Sequence, residues 1–258
     1  MTYRLAQVAT AARYAILTFR RNPAGTFFTI VLPVIFLVMF GSIFGDERTA
    51  SGAKVITFQV PGIVTLSVVS ATFVNLAMTA TYRRELGQLK RIRSTPMPPA
   101  VYILGQVAAA FVIVAFMAVL MIVIGRLIFG VTFNFETLPV FAVSLVIATV
   151  AFSALGLAVT AIIPSQDAAP AITNFIVLPL YFVSDVFIIY DEGATGFIKW
   201  AGDIFPVKHL AHSIQDSFNP FVDTVVVPWG SWAVMGAWGV AGVIIASLTF
   251  RWTPRRSA

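Results

Sequence analysis

Residues 82–106 read YRRELGQLKRIRSTPMPPAVYILGQ, with five cations and one acid in the first twelve positions, then a proline-rich stop, then an apolar restart. Residues three and four apart share a helix face, so Leu86, Leu89 and Ile92 make an apolar stripe along the basic part. Proline fixes φ and carries no amide hydrogen, so Pro96, Pro98 and Pro99 end that helix and stiffen the link to the next segment. The flanks decide the fold: a charge-free run over 55–82 precedes the segment and another, 94–125, overlaps its end. At 1.5 Å per residue, a hydrocarbon core of about 30 Å takes about 20 apolar residues to cross. The quoted stretch is therefore a basic connector between two membrane spans.

Working outward, further charge-free runs occupy 22–45, 137–166 and 224–250, and another, 168–190, is interrupted only by Asp185. Spans are expected at roughly 25–45, 57–81, 101–125, 138–163, 168–190 and 229–250. Composition agrees: the 258 residues are 59% hydrophobic and 11% charged, with mean hydropathy +0.90. Soluble domains are about 45–50% apolar and about 25% charged. The expectation is one all-α integral membrane domain over 1–258 with six transmembrane helices. The first run is longer than a signal-peptide core and follows some twenty residues with four arginines, so it is read as retained. Zero cysteines excludes disulfides, thiol catalysis and cysteine metal sites.

Charge sets the orientation. Outside the spans, Arg4, Arg13, Arg20, Arg21, Arg83, Arg84, Lys90, Arg91, Arg93, Arg251, Arg255 and Arg256 fall on one side, and Arg48, Lys54, Arg126, Lys199 and Lys208 on the other. The positive-inside rule places the richer side, with both termini, in the cytoplasm. The formal charge of +6 is thus mainly a topology signal, and no nucleic-acid partner is inferred. Residues 1–24 read as an amphipathic interfacial helix with Leu5, Val8, Ala12, Ile16 and Phe19 on one stripe. Residues 191–228 form a semi-apolar external loop in which two short helices meet at Pro206.

Polar residues within spans need partners other than lipid. Asp185 lies roughly 7–8 Å below the outer boundary, where either a loop cation, Lys199 or Lys208, or a role at a gate or with cargo would account for it. Asn75 and Asn174 are candidates for a transport path. Small residues four apart, Gly41 and Gly45 in the first span and Ala233, Ala237 and Ala241 in the last, read as helix-packing positions. No lysine stands before Ser or Thr, so a phosphate-binding Gly-Lys-Ser/Thr loop is absent. His209, His212 and Asp216 form a weak metal pattern and are read as ordinary interfacial residues. No catalytic or metal residues are assigned.

The 84–96 stretch closely resembles the hallmark of the type-2 permease family of ABC transporters: Arg84, Glu85, Leu86, Gly87, then Lys90, Arg91, Ile92, Arg93, Ser94, Thr95 and Pro96. Val60-Pro61-Gly62, Leu178-Pro179-Leu180 and Phe205-Pro206-Val207 extend the resemblance along most of the chain. Ser184-Asp185 departs from the Ser-Gly common in the family. The resemblance implies the membrane half of a bacterial inner-membrane exporter, paired as a homodimer or heterodimer with two ATPase subunits that carry ATP and Mg. It further implies a coupling helix at 83–93, with Arg84, Glu85, Leu86, Gly87, Leu89 and Lys90 against the ATPase and Asp167 as a second contact. Spans two and five would line the path of an amphipathic drug-like or lipidic cargo. The competing readings are an ion-coupled secondary transporter or channel, which usually places several ionisable groups near the midplane, and a membrane-bound enzyme.

Overall fold

The computed structural model describes residues 2–45, 47–49, 52–184, 186, 196–222 and 224–253. Among them the architecture is helical, apart from one isolated antiparallel bridge between Arg48 and Lys54. In chain order, α1 is Thr2–Arg20, α2 Phe27–Phe44, α3 Val55–Glu85, α4 Gln88–Arg93 and α5 Pro99–Phe129. They are followed by α6 Phe135–Val159, α7 Ala168–Val183, α8 Gly196–Ile204, α9 Pro206–Gln215 and α10 Trp229–Thr249. Five of these, α2, α3, α5, α6 and α10, are long and apolar enough to cross a membrane. The 16 residues of α7 reach only about 24 Å. The remainder of the expected 168–190 span, save Ser184 and Val186, lies outside the described residues.

Local chemistry sets the boundaries. Proline in the first turn, where an amide hydrogen would be unused, opens α5 (Pro99), α9 (Pro206) and the α-helical part of α6, which starts at Leu138 after a 3₁₀ turn (Pro139). Gly130, at φ +67°, ends α5 in the left-handed conformation, and Lys54 Nζ donates to the Phe129 carbonyl there at 2.7 Å.

The core is built around α3, which packs against α2, α5, α6, α7 and α9. Its Ile56, Val60, Ile63 and Val64 are buried with Met117 and Met121 of α5 and Leu210 and Ile214 of α9. Three interfaces rest on small residues. A Cβ at Gly105 of α5 would lie 2.5 Å from Ala11 Cβ of α1, one at Gly156 of α6 would lie 2.6 Å from the Phe73 carbonyl oxygen of α3, and one at Gly242 of α10 would lie 2.9 Å from the Leu155 amide nitrogen of α6. Only glycine allows such approach. The packing face of α10 is therefore Met235, Gly239 and Gly242, whereas Ala233 and Ala237, expected there, are exposed. Likewise α1 docks through Ala11, Ala15 and Phe19, and Leu5 of the expected stripe is exposed.

Candidate transport groove and coupling region

Two of the three polar residues singled out within spans meet at one cavity. A groove of about 660 Å³ runs between α2, α3 and α7, walled by Phe28, Leu32, Phe36 and Phe40 from α2, by Leu66, Ser70, Val74, Asn75 and Met78 from α3, and by Asn174, Leu178, Tyr181 and Phe182 from α7. Its size falls within the range of about 300–1,000 Å³ usual for small-molecule sites, and its mostly apolar wall with a few polar groups matches their composition. Asn75 accepts a long hydrogen bond from Thr79 Oγ1 at 3.4 Å. Tyr181 Oη donates to the Leu66 carbonyl at 3.3 Å, tying α7 to α3 across the floor. Asp185, the third, lies outside the described residues, while Lys208, one of its expected partners, pairs with Asp203 at 2.9 Å.

Two stretches of π-helix, Phe27–Val31 in α2 and Ser70–Val74 in α3, touch each other beside this groove. Such insertions widen a helix by one residue and recur at functional sites. Hydropathy gives no signal for them.

A second cavity, about 910 Å³, opens at the end of the bundle that carries the basic segment. Its wall comes from α1, the end of α3, α4, the start of α5 and the turn before α7, and includes Tyr14, Arg21, Arg83, Gln88, Tyr102, Gln106 and Asp167. Asp167 is exposed just ahead of α7, where Ser165 Oγ accepts from the Ala168 amide at 3.2 Å.

The segment expected as a single helix over 83–93 is divided. Residues 83–85 complete α3, Leu86 and Gly87 form a turn, and α4 begins at Gln88. The cause is Gly87, at φ +66°, a conformation that ends helices and favours glycine. The division sorts the expected ATPase contacts. Arg84 is only 2% exposed, and its Nη1 and Nη2 donate to the carbonyls of Thr160 (2.9 Å) and Ile163 (2.8 Å) beyond the end of α6. Its charge answers the partial negative charge of that helix end. Leu89, fully buried, fills this chain's own interior. Both are thus turned away from any partner. Glu85 is half-buried, Leu86 is 48% exposed and Lys90 is exposed, so these three remain on the surface beside the Gly87 turn. Of the weak histidine pattern, His209 has its Nε2 2.8 Å from the Asp203 carbonyl and its Nδ1 3.4 Å from Ser231 Oγ, a local structural role.

Sequence reasoning missed a polar node. Thr18, Asn22, Asn75, Thr79 and Gln106 surround a space of about 20 Å³ between α1, α3 and α5, enough for one water molecule. Gln106, an amide inside a charge-free run, was its legible trace.

Among the described residues, a helical architecture with five apolar helices of bilayer length and a mostly apolar groove defines a polytopic membrane protein. The family model for the ABC-2 type transporter matches residues 6–219, and the chain belongs to that family. It is 26% identical over 164 residues to the inner membrane transport permease YadH of Escherichia coli (strain K12), covering 62% of this chain and 63% of that one. It is 28% identical over 212 residues to the daunorubicin resistance ABC transporter permease protein DrrB1 of Streptomyces coeruleorubidus, covering 78% of this chain and 71% of that one.

Proposed function

We propose that this chain is the membrane subunit of an ATP-driven exporter of the bacterial inner membrane, moving an amphipathic drug-like or lipidic substrate. The observation that carries the reading is the groove of about 660 Å³ that brings Asn75 and Asn174 together on an otherwise mostly apolar wall. Family membership, the inner-membrane permease relative and the drug-resistance relative support the transport role and the direction.

In this reading α7 lies in the sixth span, both termini are cytoplasmic, and two such subunits, identical or related, pair with two copies of a separate ATPase that supplies ATP and Mg chemistry. Glu85, Leu86, Lys90 and Asp167 meet that ATPase. Because Glu85 ends the helix that also carries Asn75, a push on Glu85 reaches the groove through one continuous, if π-widened, helix. Asp185 takes either a structural or a gating role at the outer end.

The chain has no native cysteine, so an Asn174→Cys variant gives a clean probe. Reconstituted with its ATPase, the thiol of this variant should change its rate of maleimide labelling severalfold between nucleotide-free and ATP-bound states. A rate indifferent to nucleotide would remove the groove from the transport cycle.

A further inference from the structure

The chain does not simply run out after its last helix. α10 ends at Thr249, and Phe250 leaves it in an extended conformation, φ −64° and ψ 122°, while its amide donates to the Ala246 carbonyl at 2.8 Å. Extended backbone sends alternate side chains to opposite sides, and burial follows that alternation: Phe250 and Trp252 are half-buried, and Arg251 between them is exposed. The two rings meet edge to face with centroids 5.2 Å apart. Phe250 packs against a small cluster made by Leu76 and Ala80 of α3, Ala110 of α5 and Leu157 of α6. The segment after α10 is thereby drawn back onto α3.

From Trp252 a chain of contacts leads to the end of α3. The Trp252 and Tyr102 ring centroids are 6.2 Å apart, Tyr102 Oη accepts from Arg83 Nη1 at 2.7 Å, and the Arg83 guanidinium lies 5.9 Å from the centre of the Tyr102 ring. Arg83 stands two residues before Glu85, so the last turn of α3 is held at two points. Arg84 grips main-chain carbonyls beyond the end of α6, and Arg83 grips one phenol. The two holds differ in rigidity. Carbonyls of the main chain keep their place, whereas Tyr102 and Arg83 both line the cavity at the basic end, where there is space instead of packing. The Trp252 ring opposes movement of Tyr102 into that space.

We propose that Trp252 is a positioning residue for the coupling surface: acting through Tyr102 and Arg83, it fixes the angle at which α3 presents Glu85 and Leu86. The proposal rests on the exporter reading above for its physiological meaning. The strap itself requires no ATPase, which keeps the two separable.

The test uses the full chain in nanodiscs, first without ATPase. A nitroxide is attached through Gln88→Cys, exposed at the start of α4, or through Glu136→Cys, exposed at the start of α6, and electron paramagnetic resonance reads the ratio of immobile to mobile label. Trp252→Ala should lower that ratio at Gln88 about threefold to tenfold, the factor that an aromatic pair supplies, and leave it unchanged at Glu136. Trp252→Phe should keep most of it. Tyr102→Phe retains the ring and loses the acceptor, so it should loosen Gln88 as well, and the double variant Trp252→Ala, Tyr102→Phe should be no looser than the looser single, because both cut one chain. An unchanged ratio at Gln88, equal loosening at Glu136, or additive effects in the double variant overturns the proposal. With the ATPase assembled, Trp252→Ala placed beside Asn174→Cys should shrink the nucleotide-dependent change in maleimide labelling severalfold, and Trp252→Phe should restore it. A full nucleotide response in the Trp252→Ala chain overturns the positioning role and leaves the exporter reading standing. Loosening at Gln88 with no nucleotide response even when Trp252 is intact upholds the strap and removes the exporter reading.

Discussion

The two sides of α3 are packed in opposite ways. Towards α6 the helices close up: the Phe73 backbone lies against Gly156, and Arg84 clamps the carbonyls beyond the end of α6. One layer out, Gly239 and Gly242 of α10 meet Ala151 and Ala154 of α6. Towards α2 and α7, large side chains, among them Phe36, Phe40 and Phe182, hold the helices apart and leave the groove. In lipid there is no hydrophobic gain from bringing two apolar helices together, so the size of the contact residues decides whether an interface closes. The closed side gives α3 a fixed bearing. The open side gives it something to enclose.

The closed side should break most severely at Arg84. Replacing it by Ala removes two charge-assisted hydrogen bonds of about 1.5–3 kcal/mol each, and a loss of ~3 kcal/mol net should appear as a large fall in the thermal midpoint of the purified chain. A midpoint within a degree or two of wild type would return Arg84 to a surface role. Next comes Gly156→Ala, whose new methyl must displace the Phe73 backbone at a cost of roughly 1–3 kcal/mol. Gly236→Ala, on the same class of apolar helix but with nothing within 4 Å of the added carbon, should be neutral or slightly stabilising. Equal effects of the two alanines would mean that close approach is not what holds the closed side. Smallest in stability is Asn174→Leu on the open side: Asn174 is exposed in the isolated chain, so the midpoint should move by under about 0.5 kcal/mol equivalent. Cargo-stimulated ATP hydrolysis by the assembled transporter should nonetheless drop. Unchanged stimulation would leave the groove amides without a transport role.

Much of the fold is legible in sequence because hydropathy and charge act over whole helices. The apolar runs mark the helix-forming segments, and Pro99 and Pro206 mark two helix starts. The charge pattern misleads at one point: a run broken by Arg83 and Arg84 looks like the end of a span, but both guanidinium groups find partners inside the chain and α3 continues to Glu85. Stripes drawn from residue size alone also err. Ala233 and Ala237 are as plausible as Gly239 and Gly242, and only the neighbouring helix decides which face is covered. Of the candidate path residues, Asn75 and Asn174 stand out in sequence as lone amides in apolar runs. Their convergence on one groove depends on how α2, α3 and α7 assemble, and the π-helical stretches beside it follow from tertiary packing that a single sequence does not reveal.

Coupling is tested most directly at the end of α3, where Glu85 and Leu86 remain at the surface while Arg84 and Leu89 are consumed by the fold. A carboxylate there can accept a charge-assisted hydrogen bond from the ATPase, and truncating one member of a desolvated pair costs about 2–5 kcal/mol against under about 1 for a solvated charge. The measurement is co-purification of the ATPase with the Glu85→Ala, Leu86→Ala double variant, alongside cargo-stimulated ATP hydrolysis. The double variant should insert and keep the wild-type thermal midpoint, but lose most of the bound ATPase and all of the stimulation. Wild-type ATPase binding and full stimulation would contradict a coupling role for this end of α3.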